Sequence, residues 1–344
     1  MDQIIRLTLG GDVMLGRDVA DRIAASGADY PLGPLAERMR SAHVAVVSLD
    51  GAIVDNAAKV LKRSNPSAAL APPNAIHTLL GAGVDLVSLA NEHALDGDLL
   101  QLRNTLRALA THGIQVAGAG IDDQTARAPA VIDVHGVRIG MMAYSIRHPE
   151  FAATSNRAGI AYLPAGDHEA LVRNLRADLE GMPDPSVDWP ILSLHWGEHL
   201  AKRPTAFQEL VAHAAIDAGW QIVFGHGSHC LQGIEVYKGC PILYSTGDLV
   251  TDLYAAPESY NDHSILVEME LSRVLATRIN LIPLRIHGCQ VRRARGSELE
   301  FIAEQMRTLS AELGTSVERD GSHLWIDITP ANQVSQVSKR ARER

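Results

Sequence analysis

Five short apolar segments of this sequence each end in acidic or histidine side chains, and stretches of helical periodicity separate them. The segments are RLTLGGD (6–12), VAVVSLD (44–50), VDLVSLANEH (84–93), PILSLH (190–195) and QIVFGHGSH (221–229). Strands that alternate with helices build an α/β fold around a largely parallel sheet. Because ligands in such sheets lie beyond the carboxyl ends of the strands, we expect these polar ends to meet at one rim.

The fifth segment runs into a glycine-rich turn, GHGSH. Gly225 and Gly227 permit a sharp change of direction, so His226 and His229 can face a single point. A polar loop with two solvated histidines fits the same residues, and the other four strand ends favour a metal site over that alternative. Oxygen and imidazole ligands without a thiolate suit Mn, Zn, Fe, Mg or Ca. We therefore expect a divalent metal ion, with ligands among Asp12, Asp50, Glu92, His195, His226 and His229.

The composition indicates a globular protein with neither a nucleic-acid partner nor a membrane anchor. The 344 residues are 46% hydrophobic, and the formal net charge is -9, which argues against binding to phosphate backbones. No apolar run reaches the roughly 18 residues of a membrane span, and no signal peptide precedes the first strand. Three cysteines without a framework spacing fit a reducing compartment, so we expect a cytoplasmic location. The oligomeric state is left open.

The remaining patterns predict one domain over residues 1–329. APAVIDVHGVRIGMMAYS predicts a hairpin that turns at His135-Gly136, and an antiparallel hairpin within a βα series indicates a mixed sheet or two stacked sheets. Residues 51–73 are polar and form a long connection over the same rim. Residues 330–344 read as a solvated polar tail.

Several rim residues fit both a functional role and a structural one. Asp12 suits a metal ligand, although it could also cap the helix that follows. Arg17 could hold an anionic substrate group or form a surface salt bridge. His93, beside a carboxylate, suits proton transfer near neutral pH. In the competing interpretation, Asn91 caps a helix whose first turn contains Glu92 and His93.

Further candidates follow other predicted strands. Glu198 lies three residues after His195 and could support it from the loop. The proposed catalytic residues are His93, Asp12 and, at the end of the strand RINLIPLRIH, His287. The proposed substrate contacts are Arg17, Asn91, Lys62, Glu198 and Asp248.

Six ordered motifs resemble those of the CapA family of poly-γ-glutamate capsule proteins. They are GDVMLGR, VVSLD, LANEHALD, LHWG, GHGSH with QGIEVYKG, and ILYSTGDLVTD, and the resemblance covers roughly residues 6–315. It implies a fold related to the calcineurin-like metallophosphatases, in which two packed mixed sheets are flanked by helices in a four-layer αββα order. It also implies that His93 transfers protons and that the metal site contains Asp12, Asp50, His195, His226 and His229.

The chain departs from the family pattern at five positions. Asp50 stands where the family usually has a glutamate, and Glu92 stands where it usually has a second asparagine. Gly227 occupies the place of a frequent third histidine, and Asp248 that of an asparagine. Met14 replaces the histidine of the phosphatase motif Asp-x-His. These departures favour one hard ion over a full two-metal phosphatase centre.

The resemblance implies a metal-dependent enzyme of the CapA type. Its substrate would be an amide-linked peptide or poly-γ-glutamate, and its reaction either hydrolysis or proton transfer at a peptide Cα. The second reaction would invert the configuration of the residue. Some members of the family resemble enzymes that modify ribosomally made peptides in this way. A phosphoesterase and a non-catalytic accessory protein of polyglutamate capsule synthesis are the alternatives.

Overall fold

The computed structural model describes residues 4–54, 68–164, 166–182, 187–253 and 257–328. In chain order its strands are β1 (Ile5–Val13), β2 (Val44–Leu49), β3 (Ala52–Ile53), β4 (Leu70–Ala71), β5 (Leu86–Ser88), β6 (Gln115–Ala117), β7 (Ala119–Gly120), β8 (Ala130–Val134), β9 (Val137–Ser145), β10 (Gly159–Ile160), β11 (Trp189–His195), β12 (Ile222–His226), β13 (Ile234–Tyr237), β14 (Cys240–Leu243), β15 (Asp248–Val250), β16 (His263–Leu271), β17 (Ala276–His287), β18 (Gln290–Arg293), β19 (Glu318–Asp320) and β20 (His323–Asp327).

Of the eight α-helices in the described residues, seven lie among the strands of the first two thirds of the chain and one lies near its end. They are α1 (Arg17–Ser26), α2 (Gly33–Arg40), α3 (Ile76–Ala82), α4 (Leu99–Thr111), α5 (Asp123–Ala126), α6 (His168–Glu180), α7 (Ala206–Ala218) and α8 (Ser297–Glu312). Local signals fix their ends. For example, a capping box between Thr205 and Gln208 begins α7, and Gly219 in the left-handed conformation ends it.

The larger sheet has ten strands and is mixed. Its main order is β19-β20-β17-β16-β1-β2-β5-β6, with β15 beside β1 and β18 beside β17. The strands β1, β2, β5 and β6 run parallel, whereas β16 joins β1 in the antiparallel direction. The carboxyl ends of four strands therefore lie at the same edge of this sheet.

The smaller sheet has six strands in the order β13-β14-β12-β11-β9-β8. Its centre is parallel, because β9 pairs with β11, β11 with β12, and β12 with β14 in that sense. The predicted hairpin is present as β8 and β9, which pair antiparallel with the turn at His135-Gly136. This hairpin belongs to the second sheet, so both sheets are mixed.

The two sheets pack against each other, and helices cover their outer faces. One core joins the sheets, with side chains such as Leu7 and Val46 on one side and Ile191 and Phe224 on the other. A second core joins the ten-stranded sheet to α1 through α4, and a third joins the six-stranded sheet to α6 and α7. This arrangement confirms the α/β fold of two packed mixed sheets flanked by helices.

None of the helices in the described ranges combines the length and the apolarity that a membrane crossing requires. The boundary expected near residue 329, the polar tail at 330–344 and Lys62 lie outside the described residues. The single-domain assignment over 1–329 stays a prediction.

Candidate metal site

The pairing of β1 with β15 places two buried carboxylates side by side. Asp12 and Asp248 are Cα partners in this parallel pair. Two glycines allow the close approach, since a Cβ on Gly11 would lie 1.7 Å from the carbonyl oxygen of Gly247. Both carboxylates are almost fully buried, with 2% and 1% of the residue exposed. Asp248 follows β14, as the sequence suggested, and it also begins the short strand β15.

The pairing of β11 with β12 places two histidines beside these carboxylates. His195 and His226 are Cα partners, and their Nδ1 atoms are 3.2 Å apart. The His226 Nδ1 atom is 3.5 Å from Asp12 Oδ1. Two atoms bound to one Zn-sized ion, each about 2.1 Å from it, are separated by roughly 3.0–3.4 Å. The spacing of the three side chains is thus close to that of ligands to one ion.

The turn after β12 closes the arrangement. Gly227 has a φ of 91°, and its N–H donates a hydrogen bond to Asp12 Oδ2 at 3.0 Å. His229, whose φ is 59°, places Nδ1 2.8 Å from Asp248 Oδ1. Burial lowers the pKa of His229, but Asp248 and Asp12 outweigh it and raise that pKa to about 10. Both histidines of the GHGSH turn therefore face the carboxylates, as expected.

Three serine hydroxyls surround the His226 ring from both sheets. Ser48 on β2 is 3.1 Å from Nδ1, while Ser88 on β5 and Ser193 on β11 are 3.3 Å and 3.0 Å from Nε2. Burial, the largest effect, lowers the pKa of His226 to about 3. His226 is therefore neutral at physiological pH, which is the form in which histidine binds metal ions.

Three buried aspartate oxygens in this cluster have no hydrogen-bond donor among the described residues, and neither has Glu92 Oε2 beside them. The aspartate oxygens are Asp12 Oδ1, Asp50 Oδ1 and Asp248 Oδ2. An unpartnered buried carboxylate is costly unless a cation compensates it. Two groups bring ligand atoms within 4.8 Å of one another and could hold a metal ion, namely Asp12 with His195 and His226, and Asp12 with His229 and Asp248. The donor set fits a divalent cation.

The segment after β5 forms a 3-10 turn over Glu92–Leu95, capped by Asn91. The Asn91 Oδ1 atom accepts a hydrogen bond from Ala94 N, and its Nδ2 donates to the Leu49 carbonyl at 2.8 Å. The capping interpretation of Asn91 is thus confirmed. Both ends of its amide bind the backbone, so Asn91 joins the end of β2 to the turn after β5. Its side chain is fully buried, which argues against the expected contact with a substrate.

His93 projects from this turn toward Asp50 and Asp96. Its Nδ1 atom lies 2.7 Å from Asp96 Oδ2, and about a quarter of its side chain (27%) is exposed. Burial lowers the pKa of His93, but Asp50, Asp96 and Glu92 outweigh it and raise the pKa to about 9. His93 is therefore protonated at neutral pH and accessible from the rim.

Glu92 contacts two imidazoles. One oxygen is 3.1 Å from His195 Nε2, and the other is 3.3 Å from His148 Nε2. Burial opposes ionisation of Glu92, but the imidazole of His195, 3.1 Å away, outweighs it and holds the pKa of Glu92 well below its ordinary value. We expected Glu92 among the metal ligands. It lies instead beside the two groups of side chains that could hold a metal ion and belongs to neither of them.

Three other candidates occupy the rim without entering the cluster. The Arg17 guanidinium donates two hydrogen bonds to Asp252, at 3.2 Å and 2.6 Å, so the salt-bridge interpretation is the one observed. Glu198 is exposed in the loop after β11. His287 is exposed at the end of β17, which only β16 separates from β1. No hydrogen bond or ion pair between His287 and His93 or Asp12 is present among the described residues.

His148 and the three serines were not among the residues that the sequence indicated. His148 follows β9, whose parallel pairing with β11 carries it to the rim like the other strand ends. The serines had a visible signal, because Ser-Leu recurs near the end of three segments, at 48–49, 88–89 and 193–194. A small hydroxyl at the same position of three strands marks the space that one imidazole fills.

Comparisons with known proteins agree with the sequence motifs. A "Probable polyglutamine synthesis accessory protein" of Mycobacterium tuberculosis is 29% identical over 273 residues, which are 76% of this chain and 71% of the relative. The capsule biosynthesis protein CapA of Bacillus anthracis is 24% identical over 284 residues, 82% of this chain and 67% of the relative. Among solved structures, the NAD nucleotidase of Haemophilus influenzae is 12% identical, with a TM-score of 0.43 over 99% of this chain and 60% of its own.

The resemblance to the capsule proteins is confirmed by a match over most of the chain. The family model described as "Bacterial capsule synthesis protein PGA_cap" matches residues 6–253. This chain therefore belongs to the PGA_cap family of bacterial capsule synthesis proteins.

Proposed function

We propose that this chain is a metal-dependent enzyme acting on an amide-linked glutamyl or peptide substrate. The observation that carries the proposal is the convergence of buried carboxylates, three of whose oxygens lack hydrogen-bond donors, on two adjacent imidazoles. Such a cluster lowers the stability of the fold unless a cation compensates the buried negative charges. Its oxygen and nitrogen atoms suit a divalent cation, and clusters of this kind are common at functional sites.

The residues proposed to hold the ion are Asp12, His195 and His226, with Asp50 and the pair His229 and Asp248 next to them. A divalent ion bound there would supply Lewis-acid polarisation of an amide carbonyl and a more acidic water molecule. The side chains themselves exclude bulk water, since Asp12, Asp50, His195 and His226 are each at most 4% exposed.

His93 is the proposed proton-transfer group. Asp96 holds its Nδ1 atom, so Nε2 is the ring nitrogen left to face a substrate. With a pKa of about 9, His93 carries a proton at neutral pH. In hydrolysis it would donate that proton to the departing amide nitrogen, and in Cα exchange it would act as the acid on one face of the residue.

One guanidinium in the loops around the site suits an anionic group of the substrate. Arg147, after β9, donates a hydrogen bond to the carbonyl of Gly197, and no described carboxylate forms a salt bridge with it. His199 lies close by, its ring 5.3 Å from that of His229. A guanidinium without a carboxylate partner suits the side-chain carboxylates of a glutamyl chain. The name of one relative refers to the synthesis of polyglutamine, an amide-linked polymer, and the name of the other refers to capsule biosynthesis.

The test is an assay on poly-γ-glutamate with EDTA and with single metals restored. Chain length would report hydrolysis, and deuterium uptake at Cα in heavy water would report proton exchange. We expect EDTA to abolish activity and one metal to restore it, and His93→Gln to lower kcat by about 100- to 10,000-fold. His77→Gln, at an exposed histidine of α3, is the matched control.

Activity indifferent to chelation would overturn the proposal. Turnover of p-nitrophenyl phosphate, without any change in the polymer, would support a phosphoesterase instead. Polymer binding without turnover, unaffected by His93→Gln, would support a non-catalytic accessory protein.

A further inference from the structure

One carboxylate beside the metal cluster lies between two histidines from different strand ends. Glu92 Oε2 is 3.1 Å from His195 Nε2, and Glu92 Oε1 is 3.3 Å from His148 Nε2. The His148 Nδ1 atom in turn lies 3.1 Å from Glu150 Oε1. The side chains run from the surface inward, with exposures of 59% for Glu150, 29% for His148, 26% for Glu92 and 4% for His195.

We propose that Glu92 is a positioning residue for the ligand His195, and that His148 holds Glu92 in that place. The inference rests on the proposed metal site. It departs from the sequence-based expectation that Glu92 itself binds the ion.

The two nitrogens of His195 have different neighbours. Nδ1 faces His226 Nδ1 at 3.2 Å, within the group that could hold a metal ion, while Nε2 faces Glu92. Histidine ligands commonly donate the second ring N–H to a carboxylate, which fixes the tautomer and the orientation of the ring. Glu92 occupies the place of that carboxylate, so moving it to the ion would leave His195 Nε2 without its partner.

The backbone conformation at His148 supports the proposal that this residue holds Glu92. His148 has φ 59° and ψ 56°, a left-handed conformation that is uncommon outside glycine, asparagine and aspartate. Strain of this kind persists where surrounding contacts hold it, and it clusters at functional sites. The conformation ends the loop after β9 with the imidazole directed at Glu92, and Glu150 holds the other ring nitrogen. Both nitrogens of His148 are therefore engaged, which restricts rotation of the ring.

The test measures cobalt binding, by calorimetry and by the visible spectrum of the bound ion, and needs no substrate. Glu92→Gln keeps an oxygen that can accept from His195, whereas Glu92→Ala removes it. We expect Glu92→Gln to retain the wild-type spectrum with less than about tenfold weaker binding. Glu92→Ala should weaken binding by about 10- to 100-fold and alter the spectrum.

His148→Asn separates support of Glu92 from a general structural role. Asparagine tolerates the left-handed backbone but is too short to reach Glu92 as the imidazole does. We expect it to weaken cobalt binding several-fold in the wild-type chain and to add nothing in the Glu92→Ala background, because the two residues act through one contact. His168→Gln, at an exposed histidine of α6, should change neither measurement.

The outcomes separate the inference from the proposal beneath it. If Glu92→Gln changes the spectrum and the affinity as much as Glu92→Ala does, Glu92 is a ligand and the inference fails, while the metal site stands. Additive effects of His148→Asn and Glu92→Ala on cobalt binding would show that His148 does not act through Glu92. A wild-type chain that binds no cobalt would overturn the proposed function and this inference together.

Discussion

At the scale of single residues, Gly227 shows how a departure from the family pattern can have a local cause. A histidine is frequent at this position in the resembling family, yet here φ is 91° and a Cβ would lie 2.7 Å from His195 Cε1. The His195 ring occupies the space that a side chain at 227 would need. The absence of a side chain at position 227 therefore leaves room for the His195 ring.

Gly227→Ala should displace the His195 ring and strain the turn. We expect a loss of roughly 1–3 kcal/mol in the free energy of unfolding, from overpacking and from the positive φ. Metal affinity should fall with it, because His195 can no longer approach His226. Urea unfolding and cobalt titration measure the two effects. Wild-type values in both would show that the ring adjusts freely and that the glycine is dispensable.

At the scale of elements, the site depends on how closely β15 approaches β1. Besides the contact at Gly11, a Cβ on Gly10 would lie 2.7 Å from the Leu249 side chain. These two glycines let a parallel strand from far along the chain set Asp248 beside Asp12.

Gly11→Ala should separate β15 from β1. The added Cβ would meet a backbone carbonyl, which cannot rotate away as a side chain can, so we expect more than about 2 kcal/mol of destabilisation. Gly33→Ala, at the first residue of α2 with no atom within 4 Å of its Cβ, is the matched control and should be neutral. Denaturant midpoints compare the two. Equal stability of both variants would contradict the assigned role of the Gly11 contact.

The expectation that polar residues at the carboxyl ends of parallel strands meet at one rim predicted the elements well. It predicted the contacts of each side chain less well. It placed Asp12, His195 and His226 together because each ends a strand whose direction is visible in the sequence. Asp248 follows the predicted strand PILYSTG, but the sequence did not indicate the short strand β15 that it begins, because that strand depends on pairing with β1 through two glycines. His148 was missed because the sequence showed β9 only as one arm of an antiparallel hairpin and not as a parallel partner of β11. The role of Glu92 could not be inferred while His148 was unplaced.

At the scale of the whole molecule, the cluster draws side chains from both sheets. Asp12 lies on β1 and Asp50 follows β2 in the ten-stranded sheet, and His195 and His226 come from the six-stranded sheet. An ion bound among them would therefore resist separation of the two layers, and would oppose global unfolding as well as the opening of one loop.

Metal binding should thus raise the melting temperature. At 100 times Kd the gain in unfolding free energy is about 2.7 kcal/mol, which calorimetry would record as a shift of several degrees that EDTA reverses. Asp50→Asn should reduce this shift while stabilising the metal-free protein, because burial raises the pKa of Asp50 and its charge opposes folding. Asp217→Asn, on the surface of α7, is the control. A melting temperature indifferent to every divalent metal would contradict a site that spans both sheets.

The hydrogen bond from Gly227 to Asp12 joins positions 215 residues apart. During synthesis, the first carboxylate leaves the ribosome long before the histidine turn exists, so a nascent chain has no complete set of ligands to offer. Non-local closure of this kind also slows folding, because the intervening chain must be ordered first. The ion-binding cluster would then form as a late product of folding, and cells would have to supply the metal to a chain whose two sheets have already met.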